Sequence, residues 1–546
     1  MLRILTAALA IILIGGCGGG ESDSNVAAKP SDGVPVSGRV TFDQVPFGDG
    51  PDAGLNFALA APAPVRGATL EIVEAVGRGI LATGVTDTDG NYILNVQPNA
   101  DVFVRVKAEM VRAGTPGWNF SVRDNTKSDA LYVLDGSIFN TGAAGVTRNL
   151  HAASGWSGGA YSAPRSAAPF SVLDAVYRAC QLVLSASPNQ VFPELSMMWT
   201  PNNRPVAPAG NASTVAAQRA VGNIGTTFYD AGPPSRIYVL GDATTDTDEF
   251  DQHVLAHEWG HYYQDRLSRD DSVGGAHNVN VRLDYRVAFS EGWGNAFSGM
   301  AKGDPLYRDS FTMSGALRGF TINVENNASL IPGAFNEGAV QSVLYDLVDS
   351  ANDGADTVSL GFAPIHAVMT THMRTTSSLT TIYPFLSALR AGNAAQASAI
   401  DALAAGQQVA SVTDDFGANE FNSGGDGRNL PIFRSVAAGE IVPVCSVVAN
   451  GAYNRLGNRK FLRFELVAPG TITVRANNGP AGSDPDLALY GSGQQRGLAE
   501  GTASSAETLT VAGLAAGTYV IEVYEFSNLG SAPRGDTCFD LQVSAS

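Results

Sequence analysis

The nine residues HEWGHYYQD, His257 to Asp265, constrain this chain more than any others. Two histidines stand four positions apart, with a glutamate directly after the first. Residues four apart on an α-helix lie one above the other on the same side. A segment that uses both rings together must therefore be helical. Phe250, Val254, Leu255, Trp259 and Tyr262 give such a helix one broad apolar face. Asp246-Thr-Asp-Glu249 is expected to cap it, an Asp side chain accepting an early N–H and Glu249 following three residues on. Two imidazoles one turn apart can reach a single zinc ion at about 2.0–2.1 Å. Glu258 would then stand beside the open position of the metal, where it can take a proton from bound water. His253 lies on the same face one turn earlier, so a His253/His257 pair is the alternative, but no Glu follows His253.

A metal site needs at least a third protein ligand. The metzincin continuation would require Gly at 264 and His at 267, and Gln264 and Leu267 exclude it. Downstream, VAFSEGWGNAF places Glu291 among apolar residues, and a charge in such a setting points to something that binds it. Glu291 is the expected third ligand. The two glycines beside it are poor for a helix.

HEWGH followed by the EGW segment resembles the gluzincin metallopeptidases, thermolysin-like and especially fungalysin-like. The resemblance spans roughly residues 220–350. It implies that His257, His261 and Glu291 bind Zn2+ and that Glu258 is the general base. The family places an Asp four residues after the ligand Glu to orient a zinc-bound His. This chain has Asn295 there, a weaker acceptor for an imidazole N–H. GAVQSVLYDL, residues 338–347, is similar to a later fungalysin helix, but the His that precedes it in that family falls on Phe335. The family also implies that the strand at 235–240 pairs with substrate backbone.

Hydrolysis needs an oxyanion donor besides the metal. Only seven histidines exist. His277 follows a Gly pair between the ligands, and Tyr262 and Tyr285 are near in sequence, so the expected donor is His277 or one of these tyrosines. Asp284 is expected on a solvated or salt-bridged face, and Arg266, Arg269, Asp270 and Asp271 on an exposed charged loop.

The rest of the chain sets the context. MLRILTAALAIILIGGC has one Arg, an apolar run too short for a comfortable membrane span, and small residues before Cys17. It resembles a bacterial lipobox, which implies a lipidated Cys17 as the mature N-terminus and a single lipid anchor in the membrane. Residues 18–34 read as a linker. No other segment approaches transmembrane length, so the body is expected to be extracytoplasmic, in the bacterial envelope or secreted. The formal charge of −18 excludes nucleic acid, whose binding needs a basic patch. Cys445 and Cys538, near the ends of the last hundred residues, form an expected disulfide in an oxidising compartment, while Cys180 in a helical pattern reads as a buried thiol.

Short alternating strands over residues 35–110 predict a small β-sandwich, similar to transthyretin-like or carboxypeptidase-regulatory-like modules. Asp87-Thr-Asp89-Gly90 reads as a hairpin turn, because Pro98 stands where an EF-hand would need Glu. Residues 111–165 are Gly- and Ser-rich and form a connecting region. Residues 166–440 are expected to hold the catalytic domain, mostly helical from 241 onward. Residues 441–546 show regularly spaced strands of a second sandwich, and LAAGTYVIEV resembles the bacterial pre-peptidase C-terminal domain. The expected fold is thus multidomain: an α+β zincin-type domain, helical around the zinc site, between two β-sandwiches. The expected function is zinc-dependent peptide hydrolysis on a protein or peptide substrate. The alternative is a surface binding lipoprotein with a structural or inactive metal site.

Overall fold

The computed structural model describes residues 33–326, 331–350, 356–501 and 504–546. The expected signal segment, Cys17 and most of the 18–34 linker lie outside the described residues. The long strand Val34–Gln44 organises the N-terminal module, pairing antiparallel with Asn91–Val96 and Ala61–Pro64. A second sheet runs Val133–Asp135, Asp101–Lys107, Thr69–Glu74, Ile80–Val85. Val36, Val40 and Phe42 from one sheet share a core with Leu70, Ile72 and Val104 from the other. At the turn, Asp87 Oδ1 accepts from the Asp89 and Asn91 backbone N–H groups at 2.9 and 2.8 Å. That is a side-chain-stabilised turn of the kind Asp favours.

Residues 111–165 are not a separate connector. Val133–Asp135 and Phe139–Asn140 return to the second sheet, and Val146–Thr147 and Leu150–Ala152 lie parallel to Val34–Gln44. Trp118–Asp124 instead enters a central sheet. Its order is Phe228–Asp230, Arg236–Val239, Leu195–Trp199, Trp118–Asp124, Glu109–Arg112. Leu195–Trp199 is buried at every residue, as a parallel strand covered on both faces must be. Several strands in this region are only two or three residues long, too short to leave a periodic signal.

Helices cover the central sheet. The first, α1 (Ala168–Ala186), carries the buried free thiol Cys180. A short α2 (Ala212–Arg219) starts where the Asn211 side chain accepts from Thr214 N–H. Next come α3 (Gln252–Leu267), α4 (Tyr285–Lys302) and α5 (Glu337–Asp346), with α4 lying between α3 and α5. The described part of 241–440 is not helical throughout. Leu306–Met313 and Ala316–Asn323 form an eight-residue-paired hairpin against α3.

The cap expected for α3 is not formed. Asp246 pairs in a short ribbon with Asp242, and Glu249 is drawn to Arg165 at 3.0 Å and the Tyr161 hydroxyl at 3.2 Å. The helix starts later, at Gln252, behind an Asp251 that accepts instead from Ser310. Nor does α3 show one apolar face: its buried residues run all around it.

The C-terminal sandwich has a five-stranded sheet, Phe433–Ser435, Arg459–Leu466, Gly517–Glu525, Pro485–Gly491, Gln494–Ala499. Its four-stranded partner runs Ile441–Ser446, Thr537–Ala545, Gly470–Asn477, Glu507–Leu514. Cys445 and Cys538 face each other on paired strands and are disulfide-bonded. This sandwich has its own core, built on residues such as Leu462, Val474, Leu489 and Ile521.

One buried charge network joins that sandwich to α4. Asp284 caps α4 by accepting from Arg286 N–H at 2.9 Å, and its carboxylate also holds the Arg286 guanidinium. Arg286 reaches Glu522 at 3.0 Å, and Arg459 reaches the same carboxylate at 2.7 Å. Asp284 is therefore salt-bridged but not solvated, being 4% exposed. Burial opposes the Glu522 charge, yet Arg286 and Arg459 outweigh it and lower its pKa from 4.5 to about 2. A depressed folded-state value stabilises above the unfolded value and is lost as pH falls through the folded one. Thermal melts should therefore show a loss of stability between pH 4.5 and 2 that Glu522→Gln reduces. Arg286→Met, which leaves two acids buried and under-compensated, should cost about 3–5 kcal/mol at neutral pH in urea melts.

Candidate metal centre

Helix geometry brings the two histidines together as their spacing requires. The His257 and His261 ring centroids are 4.7 Å apart, and their Nε2 atoms 3.0 Å. Glu291 enters from α4, its Oε2 3.2 Å from His257 Nε2 and 3.3 Å from His261 Nε2. Two aromatic nitrogens and one carboxylate oxygen converge on one point. That is the donor set and spacing zinc takes, and the residues fit the ion.

The approach depends on glycine. A Cβ on Gly294 would stand 2.7 Å from the His257 ring, and one on Gly260 would stand 3.2 Å from the Gly294 Cα. Similarly, a Cβ on Gly292 would meet Val340 of α5 at 2.6 Å. The residues that looked poor for a helix are the ones that let α4 pass between its neighbours.

Both rings are oriented from behind. Asn295 Nδ2 donates to Gln341 Oε1 at 2.9 Å, so Asn295 Oδ1 is the atom that faces His257. It accepts from His257 Nδ1–H at 2.9 Å, which puts the Nε2 lone pair toward Glu291. His261 Nδ1 lies 3.3 Å from Ser290 Oγ, which is 3.1 Å from both Asp270 Oδ2 and Gln264 Oε1. Burial opposes a charge on His261, but the Glu291 carboxylate prevails and raises its pKa to about 9. Glu291 is held well below the ordinary range: burial opposes its charge, but His261 and His277 more than offset that.

Glu258 is 8% exposed, and burial pushes its pKa up. Its Oε2 accepts from the Tyr229 backbone N–H at 2.8 Å. His277 lines the same cavity as Glu258. Its Nε2 is 3.3 Å from Glu291 Oε2, and its Nδ1 is 2.8 Å from Glu337 Oε2, at the start of α5. Burial works against its charge, but Glu291 and Glu337 raise its pKa to about 9. All of these groups line one cavity of about 1140 Å³.

Other expectations are corrected. His253 is turned away, its Nδ1 3.2 Å from Ser298 Oγ, and no His253/His257 pair forms. Tyr262 donates to the Pro193 carbonyl, and neither it nor Tyr285 lines the cavity. The strand Arg236–Val239 is paired on both sides and has no edge to offer. The edge strand of the sheet is Phe228–Asp230, and its Phe228 and Tyr229 line the cavity. The Arg269–Asp271 pair, expected on an exposed loop, is mostly buried at 12% and 6% side-chain exposure. Burial also raises Asp270, to about 6.

Glu337, Gln341, Ser290 and Tyr229 were not found from sequence. Only Glu337 left a trace: Asn336-Glu337 opens the GAVQSVLYDL helix, with Asn336 as its cap.

Residues 195–405, a stretch shorter than half of the chain, match the family model of the mycolysin C-terminal domain, a peptidase-associated domain. No curated protein matches the chain. Among solved structures, it is similar to the pre-peptidase C-terminal domain of collagenase from Bacillus anthracis. That likeness has 12% identity over 20% of this chain and 93% of the other, with a TM-score of 0.16. It is also similar to PliG of Aeromonas hydrophila, a periplasmic lysozyme inhibitor, at 18% identity over 21% of this chain and 96% of that one, with a TM-score of 0.15. At these scores neither likeness bears on fold or activity.

The buried Asn295 contact makes a specific prediction. Asn295→Ala should lower zinc affinity by about 10–100-fold in competition with a chromophoric chelator, and Asn295→Asp should recover it.

Proposed function

We propose that the chain is a zinc-dependent peptidase of the gluzincin kind, acting outside the cytoplasm on a protein or peptide. One observation supports this most: three ligand atoms meet within 3.0–3.3 Å while Glu258, on the same helix, faces the same cavity. A purely structural zinc site closes with four protein ligands and has no use for such a glutamate. The lipobox-like Cys17 supports attachment to a bacterial membrane by one lipid.

Zinc held by His257, His261 and Glu291 would supply a Lewis acid and a bound water acidic enough to react at neutral pH. The chain supplies the rest. Tyr229 N–H fixes one Glu258 oxygen, and the other accepts the proton of the attacking water. Burial makes that carboxylate a stronger base than an exposed glutamate. Glu337 stabilises the charged form of His277, in which Nε2 donates to the oxyanion that develops on the substrate carbonyl. The hairpin residues Tyr307, Phe320 and Ile322 give the cavity apolar lining.

The C-terminal sandwich has a part in this scheme. Asn454 donates to the Gly274 and Ala276 carbonyls, Arg455 to Ala276, and the Tyr453 hydroxyl to Val273. These contacts grip the loop that carries His277.

Purified protein should contain one zinc per chain. Glu258→Gln should keep zinc and fold while lowering kcat on a peptide library by about 10²–10⁴-fold. His277→Ala should lower kcat by about 10²–10³-fold with little change in zinc content. Normal turnover by Glu258→Gln would refute the mechanism. Absence of turnover by zinc-loaded wild type would favour a binding protein instead.

A further inference from the structure

The same cavity contains a second group of acids that peptide hydrolysis does not use. Asp246 and Asp248 precede α3, and Asp309 belongs to the hairpin strand Leu306–Met313. One carboxylate oxygen of each lies within 4.8 Å of the others. Asp248 is 3% exposed, and Asp251 beside this group is fully buried. The Thr227 hydroxyl donates to Asp248 Oδ2. Among the described residues, no donor reaches Oδ1 of Asp246, Asp248 or Asp251, and each of these atoms is sealed from water. The nearby guanidinium groups are committed elsewhere, Arg165 to Glu249 and Arg308 to Asp304.

An arrangement of this kind is relieved by a positive charge. Buried carboxyl oxygens without donors cost free energy, and several negative charges around one point cost more. Burial and mutual repulsion accordingly push Asp246 and Asp248 up, and burial does the same to Asp309.

We propose that Asp246, Asp248 and Asp309 bind one calcium ion. The donors are all hard oxygens, with no nitrogen or sulfur among them, which disfavours zinc and copper. Calcium takes oxygen at about 2.3–2.6 Å, so two of its ligands are at most about 5 Å apart, and the three carboxylate oxygens lie inside that limit. Three carboxylates are more than magnesium ordinarily takes from a protein. A cationic substrate side chain is the competing occupant, but Asp248 is nearly sealed and favours a bare ion over a long side chain.

The consequence is mechanical. Thr312 N–H already donates to Thr245 at 2.7 Å, and Ser310 donates to Asp251. Calcium completes this attachment of the hairpin to the segment entering α3, and so fixes one wall of the cavity.

The test uses the full chain carrying Glu258→Gln, which prevents self-cleavage, so it does not rely on peptidase activity. Protein stripped with EGTA and reloaded with zinc is melted while calcium chloride is titrated. A rise in Tm of about 5 °C is expected at a hundredfold excess over Kd, with one calcium per chain by calorimetry. Adding Asp248→Asn and Asp309→Asn keeps side-chain size and removes the repulsion. This variant should melt no lower than its parent without calcium, show no shift with calcium, and keep its zinc. No shift in the parent, or an equal shift in the Asn variant, would overturn the proposal. So would a calcium-silent protein whose Asn variant, with Glu258 restored, selectively loses hydrolysis of Arg- or Lys-containing peptides.

Discussion

Everything at the candidate centre depends on how closely α3 and α4 cross. His257 and His261 come from one helix and Glu291 from the other, and their atoms meet only because Gly260 and Gly294 remove the side chains between them. Each glycine inside a helix costs about 1 kcal/mol relative to alanine. Trp259, Trp293 and Phe297, all fully buried around the crossing, offset this, since burying a large apolar side chain contributes about 1.5–3 kcal/mol. The helix is therefore held by packing rather than by propensity. Trp293 adds an indole N–H donated to the Gly260 carbonyl at 3.0 Å, which fixes the register of the two helices.

From that crossing, positioning spreads outward in layers. Asn295 and Gln341 orient His257, and Ser290 and Asp270 stand behind His261. The loop carrying His277 is fixed at one end by Glu337 and along its length by residues 453–455 of the C-terminal sandwich. Arg286 locks that sandwich to the first turn of α4. A terminal module that its sequence presents as an appendage is thus built into the support of a loop at the cavity.

The sequence made the centre more legible than its surroundings. HEWGH was readable because helical spacing dictates which side chains share a face, Glu291 because a charge stands in an apolar segment, and Asn295 only through the resemblance to the gluzincin pattern; the C-terminal sandwich was readable from the regular spacing of its strands. What escaped depends on partners distant in sequence. Glu249 belongs to Arg165, 84 positions away, so the local cap motif was overridden. Glycines 292 and 294 read as helix breakers because nothing local says that Val340 and His257 need the space. The family resemblance implied that the strand at 235–240 meets substrate, but only the sheet order reveals that 228–230 covers its edge. The two- and three-residue strands within 111–165 carry no periodicity to read.

The central claim is that one zinc ion joins the two helices. A crystal grown with zinc, measured on both sides of the zinc absorption edge, tests it most directly. The account predicts one anomalous peak about 2.0–2.2 Å from His257 Nε2, His261 Nε2 and a Glu291 carboxylate oxygen, with Glu258 not among the ligands. A zinc-loaded crystal with no peak there, or with a peak bound by His253, would contradict it.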